Sequence, residues 1–175
     1  MVDSRSDTIG PRAGRRRGRR NALALCLGVA AAALANAAAS AAGAATEVTE
    51  ITLERNCFGC SSGSRLVLRD DGSATYTVSG NARMGTNDAV TRGSVGRDAF
   101  DRLARLALAG GFFQMADNYG DEQTADGAWS SVRIVRGAVH KQVFRRGDAG
   151  PSALVDFEAA LDALKARTAF APDRR

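Results

Sequence analysis

A chain of 175 residues with a formal net charge of +5 has the size of one ordinary domain, but its basic excess is confined to the beginning. Seven of its 24 basic residues and two of its 19 acidic ones precede Ala45, leaving 17 of each in the remainder. A nucleic-acid binder shows a basic footprint, so that balance speaks against a nucleic-acid partner.

Residues 1–44 read as a signal peptide. Arginines from Arg5 to Arg20 precede an uncharged, alanine-rich run over 21–46, whose bulkier members (Leu23, Leu25, Leu27, Val29, Leu34) lie near its front. A basic region, an apolar region and small residues at a cut site make an export signal. Ala-x-Ala occurs at 37–39 and 42–44, with cleavage favoured after Ala44. Arg19-Arg20 lacks the preceding Ser or Thr of a twin-arginine signal. Cys26 follows Leu25 at the start of the apolar run rather than its end, which argues against lipidation. The run also reaches the roughly 20 residues of a membrane span, so an uncleaved inner-membrane anchor is the alternative. Either way the arginines stay inside, and the domain is expected to be periplasmic or secreted.

The remainder reads as one domain over 45–170 with a frayed tail over 171–175. Along 47–55, Val48, Ile51 and Leu53 alternate with Thr and Glu apart from one misstep, which predicts a half-buried strand. Residues 65–69 place Leu66 and Leu68 on one face. Asp71-Gly72 then predicts a hairpin turn, and 73–79 returns with Ala74, Tyr76 and Val78 aligned. After a polar loop over 80–87, 90–95 adds a short edge strand. Over 98–109, Phe100, Leu103, Leu106 and Ala107 recur at helical spacing until Gly110-Gly111 stops the helix. Phe112-Phe113-Gln114-Met115 packs back, and 116–127 is an acidic loop. Residues 129–135 and 138–144 flank Arg136-Gly137 as a second hairpin. Pro151-Ser152 opens a last helix with Leu154, Phe157, Leu161 and Leu164 on one face. The expected fold is α+β, an antiparallel sheet of five to six strands (meander plus hairpin) covered by two helices.

Several stretches carry a family resemblance: Ile51-Thr52-Leu53-Glu54-Arg55, the Cys57-Phe58-Gly59 corner, and Asp71-Gly72-Ser73-Ala74-Thr75-Tyr76. Phe100-Asp101-Arg102-Leu103, Gly111-Phe112-Phe113, and Tyr119 before Asp126 add to it. Over 51–164 the chain resembles the exported bacterial family termed domain of unknown function 6438. The family pattern continues Cys-Phe-Gly-x-Cys-Pro-x-Tyr, whereas here the second cysteine comes one place early, at Cys60, and Ser61-Ser62-Gly63-Ser64 follow. The resemblance implies the fold and export, and no mechanism.

Cys57-x-x-Cys60 is the strongest local signal, and in an oxidising compartment such a pair reads as a structural disulfide. A thiol–disulfide redox pair is the alternative, with Arg55 and Arg65 near enough in sequence to stabilise a thiolate. Against it, a serine-rich turn and a strand follow, rather than a helix. Zinc needs further ligands, and His140 is the one histidine of the chain. Haem attachment requires His where Ser61 stands. Asp117, Asn118, Asp121, Glu122 and Asp126 collect oxygen ligands, but not at the spacing of a calcium-binding EF-hand loop, and read as a solvated loop. No Gly-x-Ser-x-Gly elbow accompanies His140, which reads as an ordinary strand histidine. Phe112, Phe113 and Trp129 read as core. No catalytic residue, cofactor or metal site is assigned. The sequence points to a non-enzymatic binding or envelope accessory module with a Cys57–Cys60 disulfide, partnered by an envelope protein or small ligand, and by the membrane only if the leader is retained. A periplasmic redox protein is the alternative.

Overall fold

Alternation of apolar and polar residues builds the middle of a sheet. In the computed structural model, which describes residues 47–120 and 127–173, β1 (Val48–Cys57), β2 (Ser64–Arg69), β3 (Ser73–Val78) and β4 (Ala89–Ser94) form an antiparallel meander. The leader with its cleavage site, and the acidic stretch 121–126, lie outside the described residues. β6 (Ala128–Arg136) and β7 (Val139–Arg146) form the hairpin, which joins the meander by β1–β6 pairing. Two-residue strands, β5 (Asn118–Tyr119) and β8 (Ala171–Pro172), flank the rest, giving the order β5-β7-β6-β1-β2-β3-β4-β8.

The fold is α+β as expected, but among the described residues the sheet has eight strands rather than five or six, and it is mixed because β5 runs parallel to β7. Both added strands are too short to show a period. The residues expected to fray at 171–175 are corrected in part. Ala171 and Pro172 pair with β4, and the Asp173 carboxylate lies 3.0 Å from the Arg92 guanidinium. Proline tolerates this position because an edge strand has no outer partner for the missing N–H.

The misstep in β1 is a β-bulge between Val48 and Glu50. One extra residue turns the phase of the strand, so Val48 and Ile51, three apart, are both buried. At the β2–β3 turn, Asp70, Asp71 and Gly72 make a three-residue loop with Gly72 at φ 81°, where a side chain would be strained. Asp71 Oδ1 accepts from Ser73 N at 2.7 Å.

Helices α1 (Arg97–Ala109) and α2 (Ser152–Arg167) cover one face of the sheet. Ile51, Leu53, Leu66, Leu68, Val132, Ile134 and Val143 meet Phe100, Leu103, Ala107, Leu154, Phe157, Leu161 and Leu164 there. Each fully buried apolar side chain contributes about 1.5–3 kcal/mol. Leu106, expected on the buried stripe of α1, is 42% exposed, and Ala104 takes the inner position. A small residue there lets α1 approach closely. Among the described residues, no helix is long and apolar enough to cross a membrane.

Candidate functional site

The chemistry gathers at the far end of β1, where Glu54, Arg55, Asn56 and Cys57 follow one another. Strand alternation sends Arg55 to the helix-covered face with Leu53, and Glu54 and Asn56 to the open face. One strand end therefore serves two environments.

On the covered side, α2 places Glu158 on its apolar stripe, four residues after Leu154 and three before Leu161. Its side chain is 2% exposed. Arg145 from β7 grips it bidentately, with Nε to Oε1 at 2.9 Å and Nη2 to Oε2 at 3.0 Å. Ser130 Oγ donates to Oε1 at 2.7 Å, and Arg55 Nη2 donates to Oε2 at 3.1 Å. Arg55 also reaches Asp162 Oδ2 at 2.6 Å. Burial pushes the Glu158 carboxyl upward, but the hydrogen bonds from Arg145, Ser130 and Arg55 prevail and hold it below the ordinary carboxylate range. The bond to Glu158 in turn raises the Arg145 guanidinium above its usual value. A carboxylate with both oxygens so occupied is held as an anion and is not free to shuttle protons.

On the open side, a cleft of about 390 Å³ crosses five adjacent strands, from Trp129 on β6 through Asn56 and Arg65 to Thr77 and Val90 on β4. The loop after β3 forms its far wall and is pinned by Asp88, whose Oδ1 accepts from Gly80 N at 2.8 Å. Asn56 Oδ1 accepts from Cys57 N at 2.8 Å, and its amide nitrogen lies against Gly63. A Cβ on Gly63 would sit 2.7 Å from that nitrogen, so glycine keeps this part of the floor open. Glu54 and Arg65 pair at 3.1 Å and neutralise each other. Among the described residues, the Thr77 hydroxyl and the Trp129 indole nitrogen take no partner. The Trp129 ring rests against Phe144, with centroids 5.7 Å apart.

Between these two environments sits the corner. Cys57 and Cys60 form a disulfide, with Cα atoms 5.3 Å apart. Phe58, between them, is 77% exposed. The serine-rich segment that follows leads into β2, with Ser79 N donating to Gly63 O at 3.0 Å. A second hollow of about 410 Å³ opens beside the disulfide and shares Asn56, Gly63 and Trp129 with the first.

The arginines near the cysteines are committed elsewhere, Arg55 to Glu158 and Asp162 and Arg65 to Glu54. His140 pairs with Val135 near one end of the β6–β7 hairpin, whereas Cys57 pairs with Ala128 at the other end of β6, so the structure does not bring them together. In the acidic loop Asp117 is salt-bridged to Lys141 and Asn118-Tyr119 form β5, while 121–126 lie outside the described residues. Among the described residues no three potential metal ligands converge. Phe112 is core as expected, but Trp129 is not: it stands half-buried on the open face. Its strand position opposite Asn56 puts it there.

Sequence reasoning missed Glu158, Arg145 and the cleft. A carboxylate on the apolar stripe of a helix was the available signal for Glu158, since an acidic residue is buried only when paired. No signal announced the cleft, because its floor draws on strands distant in sequence. No family model matches the chain, and no curated protein resembles it.

Proposed function

We propose that this is a non-enzymatic binding module of the cell envelope, exported by its leader, akin to the domain of unknown function 6438 family, which takes a small ligand on its open sheet face. The cleft carries the reading: it is concave, it sits on rigid strands, and it presents unpartnered polar groups beside an aromatic ring, the ordinary composition of a ligand site. The strongest charges, those at Glu158, are spent inside the fold. A thermal-shift screen against soluble organic anions, amino acids and short peptides, repeated on Gly63→Leu, tests the reading. Stabilisation that Gly63→Leu removes supports it. Hydrolase or oxidoreductase turnover abolished by a single substitution overturns it. Export predicts an intact mass beginning near Ala45 for protein taken from its native envelope, whereas retention of residues 1–44 indicates an anchor.

One observation favours a second reading, a thiol–disulfide redox protein: Cys60 is exposed at the corner. Insulin reduction no faster than with a Cys57→Ser control disposes of it.

A further inference from the structure

The open-face cleft has a composition that selects among ligand classes. Among the described residues that line it, the aromatic platform is Trp129, whose indole offers a broad apolar face and a donor N–H at the edge. Opposite lie groups that hydrogen-bond in both directions: the Thr77 hydroxyl donates and accepts, the Asn56 amide donates, and the Glu54 and Asp88 carboxylates accept. Charge gives the second criterion. Two arginines line the cleft: Glu54 already occupies Arg65 at 3.1 Å, and the Arg55 guanidinium is committed on the covered face to Glu158 and Asp162. A phosphate or carboxylate ligand would meet Glu54 and Asp88 with no uncommitted cation among these residues. A ligand with a positive charge would find Asp88 as the one carboxylate of the cleft, among the described residues, without a cation beside it. That group is exposed at the loop, where a single ion pair is screened by solvent and contributes little. What remains is a neutral molecule with one flat C–H face and a rim of hydroxyls.

We infer that the cleft binds a neutral saccharide, with a sugar ring stacked on Trp129 and its hydroxyls bonded to Asn56, Thr77 and Glu54. This rests on the binding-module reading and names its ligand class. The cleft runs across the strands and is open above, which suits an interior segment of a chain of sugars rather than a single enclosed monosaccharide. Gly63 matters here because any side chain would push the Asn56 amide out of place.

Trp129 is the only tryptophan of the chain, so its emission reports directly on the site. The probes are the tetramers of N-acetylglucosamine, of β-1,4-linked glucose and of α-1,4-linked glucose, titrated into the full domain, with inorganic phosphate and citrate as anionic counterparts. At least one tetrasaccharide is expected to shift the emission saturably, while the anions do not. Thr77→Val, which keeps shape and removes the hydroxyl, is expected to weaken binding about threefold to tenfold. Trp129→Ala, followed by calorimetry, is expected to weaken it by about tenfold or more. Circular dichroism of both variants confirms that the sheet persists. Saturation by a sugar that Thr77→Val leaves unchanged overturns the assignment to this cleft. A response to phosphate or citrate alone, or to a library compound from the thermal screen with none of the sugars, overturns the saccharide while the binding module stands. Silence from the sugars and from the screen together ends both.

Discussion

The two faces of this sheet use the same kinds of charged residue, glutamate and arginine, to opposite ends. On the covered face, Glu158 is enclosed with Arg145 and Arg55, every oxygen satisfied at 2.7–3.1 Å. On the open face, Glu54–Arg65 and Glu50–Arg69 sit at 3.1 and 3.4 Å with side chains partly exposed. Distances alone barely separate the two sets. Solvent does, because a charge removed from water cannot lose its partner without leaving an unpaired ion in a poor dielectric, whereas an exposed pair is screened and contributes little to the fold. The covered face is therefore structural, and the open face is free to recognise something else.

Removing one member of the buried set is the harshest way to break that contrast. Arg145→Ala leaves the buried Glu158 carboxylate with Ser130 and Arg55 alone and is expected to cost about 3 kcal/mol, read by urea or thermal unfolding. Acid sharpens the same point. The Glu158 pKa in the fold lies below its ordinary value of 4.5, so the stabilisation is complete above that value and disappears as pH falls through the folded one. Glu158→Gln removes this contribution, and the acid-side loss of melting temperature should be shallower in the variant than in the parent.

Next in size comes the corner between the faces. Opening the Cys57–Cys60 ring with a double serine substitution is expected to cost about 2 kcal/mol on the chain-entropy view, with the sheet signal in circular dichroism preserved. The least effect belongs to the open face. Arg65→Ala should change stability by no more than about 1 kcal/mol, and that change should shrink further as salt is added. A large loss there would mean that the open face, too, holds the fold together.

Much of the frame was legible beforehand. The period of two in β1, β2 and β3, the Asp71-Gly72 turn and the helical spacing of Leu154, Phe157, Leu161 and Leu164 each depend on residues a few positions apart. The strands Asn118–Tyr119 and Ala171–Pro172 escaped because two residues carry no period. Trp129 was misplaced as core since an aromatic residue at a strand start fits either face. Its side was decided by register with Asn56.

By itself, the sequence determined the α+β class, the order of the main elements and the pairing of Cys57 with Cys60, since each arises from local pattern or from cysteines that are near neighbours in the chain. Only the tertiary structure decided that Arg55 and Glu158, 103 residues apart, would share a hydrogen bond. It alone decided that Asn56, Thr77 and Trp129 would line one cleft. Both depend on which strands become neighbours in the sheet. That choice is made by burying apolar faces against the helices, a cooperative property of the whole chain that no short stretch encodes.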